Sequence, residues 1–299
     1  MKRVVLLISL LGSLVGAAVS PGAAFAGAPA SCGSHAHQRP VVRHVIVVVM
    51  ENHSYSAIIG HAPYITALAR GCGLATNYRA ITHPSLPNYL ALTSGSTHGD
   101  TSDCTPSECP VSGQSIFSQV TAHHLGWRSY AESMPTACDT GSSGLYAARH
   151  VPAVYYLQVR SICASHVRRL GSLTGGRLHL ALNSGHAPAY IFVTPNLCND
   201  MHDCAVSVGD RWTSQWIPMM RHSRTYRAGH TVILLVWDEG GGDNQVPLIV
   251  VSPYTRPGTR SSRALNHYSL LRASEHLLGF RRYLGAARVF AGLGNAFHH

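Results

Sequence analysis

The chain has 299 residues, a formal net charge of +10 and 45% hydrophobic residues. This length suits one large α/β domain, and no apolar stretch beyond the N-terminal region is long enough to cross a membrane. The arginines form no run interleaved with aromatic residues, so the sequence argues against nucleic-acid binding.

The N-terminus has the pattern of a secretory signal peptide. A basic start is followed by an apolar run and by Ala24-Phe25-Ala26, a typical cleavage site. We therefore predict a signal peptide over residues 1–26, a polar linker over residues 27–40 and a protein secreted to the extracellular space. All eight cysteines follow residue 26, which favours disulfides over zinc. The pair Cys198–Cys204 would close one tight loop, and the other pairings stay open.

Several segments rich in β-branched and apolar residues are typical of buried strands, namely residues 41–50, 189–194, 231–237 and 246–252. Shorter strands are expected at 74–78 and 126–131, and helices at 62–70, 85–94, 115–124, 210–223 and 267–278. Residues 168–185 show no clear periodicity. Strands that alternate with helices predict an α/β fold, here a three-layer α/β/α sandwich with a mainly parallel central sheet.

The stretch from Thr82 to Gly95 is the first candidate for chemistry. Ser85 stands between two prolines, which a first helical turn tolerates, and Gly95 suits the end of that helix. Ser85 is therefore expected at a helix N-terminus, where free backbone N–H groups and the helix dipole attract an anion. A lone serine there is more often only a capping residue, so other elements must decide its role.

Polar clusters follow the strongest predicted strands: Glu51-Asn52, Asn196 with Asn199-Asp200 and His202, and Asp238-Glu239. In an α/β sheet such strand ends meet at one edge. Carboxylates packed together raise one another's pKa values or require a cation, and oxygen and imidazole ligands suit magnesium, calcium, manganese, zinc or iron. A bound cation would also lower the pKa of the Ser85 hydroxyl and hold its alkoxide for attack.

These segments resemble the bacterial phosphoesterase family that joins secreted acid phosphatases with phospholipases C, within the alkaline-phosphatase-like superfamily. Inside that family, the sequence is similar above all to mycobacterial secreted acid phosphatases that act on phosphoinositides. The matching segments are Glu51-Asn52-His53-Ser54, Thr82 to Leu92, Arg149-His150-Val151-Pro152, Asn199 to Asp203, Trp237-Asp238-Glu239 and His267-Tyr268. The resemblance covers residues 41–280, which it implies to be the phosphoesterase domain, and leaves residues 281–299 as a C-terminal tail.

The resemblance implies a metal-dependent acid phosphatase that hydrolyses phosphomonoesters, phosphoinositides among them, by double in-line displacement through a phosphoserine. It implies Ser85, His202 and His267 as catalytic residues, His83, Asn88, His150 and Asn199 as substrate-binding residues, and Glu51, Asn52, Asp200, Asp238 and Glu239 as metal ligands. Two-metal members carry a D-x-x-x-H pair where Asn196 and Asp200 stand here. This departure favours one divalent cation over two.

Other functions remain to be weighed. A phospholipase C-type phosphodiesterase differs only in its diester substrate, and a secreted, non-catalytic phosphate- or metal-binding protein would keep the fold without turnover. Ser85-Leu86-Pro87 matches the start of the sulfatase motif, but Asn88 and Tyr89 break it. The expected partners are small phosphoesters or phospholipid headgroups, with no nucleic acid, no transmembrane segment and at most a peripheral membrane contact. The sequence does not indicate an oligomeric state.

Overall fold

The structure is a computed structural model that describes residues 31–294 together with residues 1 and 297. Apart from its first residue, the predicted signal peptide over residues 1–26 lies outside the described residues. Along the described part of the chain, no helix has the length and apolarity that crossing a membrane requires.

The strands of the described chain are β1 His44–Met50, β2 Gly73–Ala75, β3 Tyr78–Arg79, β4 Trp127–Ala131, β5 Val167–Arg169, β6 Tyr190–Thr194, β7 Thr231–Trp237, β8 Leu248–Val251, β9 Arg260–Ser261 and β10 Leu265–Asn266. The α-helices are α1 Tyr55–Ile58, α2 Pro63–Gly71, α3 Ser85–Ser94, α4 Ile116–Ala122, α5 Cys163–His166, α6 Arg177–Asn183, α7 Val206–His222, α8 Arg224–Arg227 and α9 His267–Leu277. Short 3-10 helices occur at Ala148–His150, Pro152–Val154, Leu157–Ile162 and Gly285–Arg288.

The main sheet has the strand order β5-β4-β6-β1-β7-β8-β2-β9. Of these strands, only β8 runs against its neighbours, pairing antiparallel with β7 and β2. β1 lies between β6 and β7, and its residues from Val45 to Met50 are completely buried. This burial on both faces explains its unbroken apolar sequence. The prediction of a mainly parallel sheet is confirmed.

Helices form two groups around the sheet. α3 packs against α4 and α9, whereas α7 packs against α2, α6 and α8. Together with the sheet, these groups make the predicted three-layer sandwich. β4, β6, β1 and β7 run parallel, so their carboxyl ends share one edge, and the polar clusters predicted after β1, β6 and β7 meet there.

The elements differ from the prediction in a few places. The strand expected at residues 74–78 is broken into β2 and β3, because β3 leaves the main sheet to pair with β10. The segment without periodicity, residues 168–185, holds the end of β5 and all of α6. Residues assigned to the C-terminal tail also enter the core, since Leu284, Ala287 and Leu293 are buried.

All eight cysteines are paired, as Cys32–Cys72, Cys104–Cys109, Cys138–Cys163 and Cys198–Cys204. The Cys198–Cys204 prediction is confirmed. This bond closes the loop after β6 that carries Asn199, Asp200 and His202, so it restrains three of the predicted site residues. Cys104–Cys109 likewise closes the loop that follows Asp103.

Candidate active site

The nucleophile candidate begins helix α3. Ser85 is the first helical residue, Pro84 precedes it as the N-cap, and the helix ends at Gly95 in the left-handed conformation, with φ 75°. A Cβ at Gly95 would lie 2.5 Å from the carbonyl oxygen of Leu284, so glycine is required there. Ser85 is 2% exposed, and its Oγ donates to Glu51 Oε2 over 3.1 Å.

Glu51 is the carboxylate around which the site is built. It follows the last residue of β1 and is completely buried, and its Oε1 accepts a hydrogen bond from the Tyr89 hydroxyl. Burial, together with the nearby carboxyls of Asp238 and Asp200, raises the pKa of Glu51 well above its usual value. A carboxyl in this position binds a proton or a cation.

Strand register brings the second carboxylate beside Glu51. Met50 of β1 pairs with Trp237 of β7, so the residues that follow each strand leave the sheet side by side. Burial, with a further contribution from Glu239, raises the pKa of Asp238 to about 7. Asp238 Oδ1 accepts the backbone N–H of Asn52 at 3.2 Å, whereas Oδ2 is buried without a hydrogen-bond partner.

The side-chain amide of Asn52 lies beside the carboxylates of Glu51 and Asp238. One of its two terminal atoms lies 2.9 Å from Glu51 Oε2 and 3.3 Å from Asp238 Oδ1. With nitrogen in that place the amide donates to both carboxylates, and with oxygen there it joins them as a third ligand atom for a cation. Asn52 also adopts the left-handed conformation, with φ 50°, which asparagine tolerates better than most residues.

His150 and Asp200 form the opposite wall. His150 is 1% exposed, with Nε2 3.4 Å from Glu51 Oε1 and Nδ1 3.4 Å from Asp200 Oδ2. Burial, followed by the charges of Arg149 and His202, lowers the pKa of His150 well below its usual value. Burial raises the pKa of Asp200 to about 8. His150, predicted to bind substrate, lies between these two carboxyls, where burial disfavours the charged form of its ring.

These residues fit a divalent cation. Asp238 Oδ2, Asp200 Oδ2 and His150 Nε2 are buried without hydrogen-bond partners, which native proteins avoid unless another group completes the site. Glu51, His150 and His202 can each offer a ligand atom within 4.8 Å of the others. Carboxylate, amide and imidazole donors suit magnesium, manganese, zinc or iron, and they do not decide among them.

Glu239, His83 and Asn88 lie on the α3 side of the site. Glu239 Oε2 accepts from Asn88 Nδ2 over 3.2 Å and lies 3.1 Å from His83 Nδ1. Burial, with the charge of Asp103, raises the pKa of Glu239 to about 7. Asn88 also holds its own turn, because its Oδ1 accepts the N–H groups of residues 81 and 82. The Asn88 amide therefore holds both this turn and Glu239, whereas the His83 side chain is exposed.

His267, predicted as a catalytic residue, has both of its ring nitrogens in contact with other protein groups. It is completely buried, with Nε2 2.5 Å from the carbonyl oxygen of Asp238 and Nδ1 accepting the Tyr78 hydroxyl over 2.8 Å. Burial lowers its pKa to about 4. Both ring nitrogens are occupied by protein, so this geometry does not suit a proton donor. It suits a residue that fixes the backbone of Asp238.

Two groups beside Ser85 were not among the predicted site residues. Arg149 donates through Nη2 to His202 Nε2 at 3.2 Å, and its Nε lies 3.4 Å from Asp103 Oδ2. Asp103 Oδ1 accepts the backbone N–H of Leu86 at 2.9 Å, so a carboxylate occupies the anion position expected at the start of α3. Arg149 belongs to the motif Arg149-His150-Val151-Pro152, so the sequence could have identified it. The polar loop around Asp103 contains no motif that could have identified Asp103.

Asn199 lies apart from the other predicted residues. Its Nδ2 donates to Glu132 Oε2 over 2.9 Å, and its backbone N–H donates to Asn196 Oδ1. His202 is nearer the centre, with its ring centroid 5.7 Å from that of His150, and its Nδ1 lies 2.7 Å from Asp203 Oδ1. The structure therefore brings together the carboxylate, serine and histidine candidates around Ser85 and leaves Asn199 on the outer side of the loop.

The fold places the chain in a broad class. A solved protein of the alkaline phosphatase superfamily, from Vibrio parahaemolyticus, superposes with a TM-score of 0.56 over 82% of this chain and 68% of that one, at 9% sequence identity. The likeness shows the fold, which is the alkaline-phosphatase-like sandwich that the sequence predicted. The site at the carboxyl edge of the sheet agrees with this class.

Within that class, the chain belongs to the Phosphoesterase family, whose sequence profile matches residues 61–280. It is 33% identical to a phosphatidylinositol-3-phosphatase of Mycobacterium tuberculosis, over 93% of this chain and 90% of the relative. It is also 29% identical to an acid phosphatase of Aspergillus fumigatus, over 66% of this chain but only 46% of that longer relative. The chain is thus a phosphoric ester hydrolase.

Proposed function

We propose that the protein is a secreted, metal-dependent acid phosphatase that hydrolyses phosphomonoesters, phosphoinositide headgroups among them, with Ser85 as the nucleophile. One observation carries the proposal: Ser85 Oγ, at the start of α3, donates to Glu51 Oε2 over 3.1 Å within a cluster of buried carboxyls. Phosphatase relatives from bacteria and fungi support the substrate class.

One divalent cation would be held by Ser85 and by the side chains of Glu51, Asn52, Asp238 and Glu239, with Asp200 and His150 within reach. When bound, it would lower the pKa of the Ser85 hydroxyl and offset charge on the phosphoryl oxygens. A second cation has less support, because Asn196 uses its amide within its own loop. Its Nδ2 donates to Ser133 Oγ, and its Oδ1 accepts two backbone N–H groups.

The reaction proceeds by two displacements at phosphorus. Ser85 Oγ forms a bond to phosphorus as the ester P–O bond breaks, and the hydroxyl proton of Ser85 is released to solvent. Two groups donate to the phosphoryl oxygens, the Arg149 guanidinium and the backbone N–H of Leu86. In this structure both groups contact Asp103. Water then attacks the phosphoserine, releases phosphate and returns the proton to Ser85.

His83 is the proposed proton donor to the leaving alkoxide. Its side chain is 55% exposed, and its Nδ1 faces Glu239, so its Nε2 is free to meet a substrate oxygen. In this scheme His267 and Asn88 act by positioning Asp238 and Glu239 rather than by contacting substrate. A histidine donor must be protonated, and imidazole is charged in mildly acidic solution, which supports an acidic optimum.

The experiment compares the wild-type mature chain with Ser85→Ala and Glu51→Gln, using Ser94→Ala at the other end of α3 as the matched control. Substrates are a phosphomonoester, a phosphodiester and a sulfate ester, each with and without a chelator. We expect metal-dependent monoester hydrolysis that both site variants abolish and Ser94→Ala retains. Acid-quenched wild-type enzyme should carry phosphate on Ser85, which mass spectrometry detects.

Each alternative predicts a different result. A phospholipase C-type phosphodiesterase would prefer the diester, and a non-catalytic binding protein would bind phosphate without hydrolysing any ester. Activity that survives Ser85→Ala, or that is indifferent to chelation, would refute the proposed mechanism. Detection of the mature chain in the culture medium, beginning near residue 27, would test the secretion that the predicted signal peptide and the disulfides support.

A further inference from the structure

A cavity of about 270 Å³ opens at the edge of the sheet, beside strand β5. Its lining side chains are Arg128, Tyr130, Ser165, Arg168, Arg177 and Leu180. Half of these residues are arginines, and none is acidic. The proposed phosphatase chemistry uses none of them.

The strand pairing itself assembles this cluster. Arg128 and Tyr130 are two residues apart on β4, so they project from the same face of the sheet. Tyr130 pairs directly with Arg168 of β5, which places Arg168 on that face as well. Arg177, the first residue of α6, closes the cavity from the helical side. The arrangement is therefore a product of the regular elements and not of one long loop.

Most of the donors around the cavity have no protein partner. Arg128 and Arg168 each give one N–H to a nearby backbone carbonyl, of Trp127 and of Ala164, and each guanidinium carries five N–H groups. The Arg177 guanidinium makes no hydrogen bond or ion pair with another residue in the described part of the chain. The hydroxyl of Tyr130 also makes no hydrogen bond to another described residue, and it is not among the polar atoms buried away from solvent.

The cluster carries positive charge that no acidic side chain in its lining offsets. Three guanidinium groups line one cavity, with no carboxylate in its lining to offset their mutual repulsion. Burial raises the pKa of Tyr130, whereas the charges of Arg128, Arg177 and Arg168 act against that rise. A site that offers only donors and positive charge fits an oxyanion carrying two or more negative charges, and guanidinium groups match its oxygens in pairs.

We propose that this cavity is a second, non-catalytic binding site for a phosphate group, contacted by Arg128, Arg168, Arg177 and the hydroxyl of Tyr130. Free inorganic phosphate and a phosphate carried on a larger molecule share the recognised chemistry. The proposal does not rest on Ser85 or on a metal, since no residue of the candidate active site takes part in it.

The test measures phosphate binding by calorimetry on the full mature chain with a chelator present, so that a cation cannot hold phosphate at the candidate active site. The probes are inorganic phosphate, inositol hexakisphosphate and, at matched ionic strength, chloride. Arg168→Gln and Arg177→Gln each remove one donor group from the cavity. Arg169→Gln is the matched control, because it removes the same charge from the same strand but does not line the cavity.

We expect the wild-type chain to bind phosphate saturably. Arg168→Gln and Arg177→Gln should each weaken this binding about tenfold, because each loses a charge-assisted hydrogen bond. Arg169→Gln should change it by less than about twofold. Tyr130→Phe should weaken binding about threefold, the size of a neutral hydrogen bond. Tighter binding of inositol hexakisphosphate than of phosphate would identify the carried phosphate as the ligand, and the reverse order would identify the free ion. Equal losses in all the arginine variants, or no saturable binding of either phosphate probe, would overturn the proposal.

Discussion

Replacing Tyr89 with phenylalanine would remove one hydroxyl from the centre of the candidate active site. The Tyr89 hydroxyl donates to Glu51 Oε1, and the residue is completely buried. Its ring stacks on His150, with centroids 5.3 Å apart and planes 7° from parallel, and it packs against Phe192. Phenylalanine keeps both ring contacts, so the substitution isolates the hydrogen bond to Glu51.

The expected size follows from the role of Glu51 as a proposed ligand. Loss of a hydrogen bond to a metal ligand typically lowers metal affinity or activity by about 10–100-fold. Such a change corresponds to about 1.4–2.8 kcal/mol, which agrees with about 1.5–3 kcal/mol for a hydrogen bond to a charged group. We therefore expect Tyr89→Phe to raise the cation concentration needed for half-maximal activity about 10–100-fold, with the rate at saturating cation nearly restored.

The assay is phosphomonoester hydrolysis as a function of added divalent cation, after removal of the resident ion with a chelator. Tyr156→Phe is the control, since its buried hydroxyl bonds to Thr93 Oγ1 over 2.7 Å and not to a carboxylate. This control should lose about 1 kcal/mol of stability but keep the wild-type cation dependence. If Tyr89→Phe and Tyr156→Phe show the same cation dependence, Glu51 does not hold the cation.

The remaining predictions concern the groups beside Ser85 and the buried carboxyls. Arg149→Gln should raise KM for a phosphomonoester about tenfold or more, because a charge-assisted contact to phosphate is lost, and steady-state kinetics with an unchanged KM would contradict this. Asp103→Asn should make inorganic phosphate a tighter inhibitor, since a neutral amide accepts the Leu86 N–H more weakly and no longer repels the anion. Weaker inhibition would instead show that Asp103 positions Arg149. In chelator, the stability of the wild-type protein relative to Asp238→Asn should fall as the pH rises from about 4 to about 7. The sign follows because burial raises the pKa of Asp238 from 3.8 to about 7, so its contribution is complete below pH 3.8 and lost through pH 7. Thermal unfolding across this pH range measures the difference, and a relative stability that rises with pH would refute the reasoning.

The positions of the carboxylates could be predicted from the sequence because they depend on strand ends. An apolar run that stops abruptly locates the end of a buried strand, and parallel strands end at one edge. Glu51 and Asp238 follow β1 and β7, which pair in register, so the pattern was sufficient to place them together. Ser85 could be placed because proline and glycine mark the ends of a short helix.

The roles of several side chains could not be predicted, because they depend on three-dimensional hydrogen bonding. A histidine that begins a helix after a polar loop resembles a catalytic residue, yet His267 is held by Tyr78 and by the backbone of Asp238. Asp103 belongs to no recognisable motif, because the disulfide-closed loop beside it has no regular hydrophobic periodicity. Asn199 was predicted with its neighbours, but adjacent residues of a tight loop point in different directions.

The buried carboxyls have a consequence for how the domain can evolve. Glu51 and Asp238 lie at the ends of central strands with no exposure to water, where a charged group without a cation opposes folding. Neutral variants such as Glu51→Gln and Asp238→Asn are therefore expected to be inactive and, in cation-free solution, more resistant to heat than the wild type. Selection for stability alone would remove these carboxyls, so the proposed metal-dependent catalysis accounts for their presence at the carboxyl edge of the sheet.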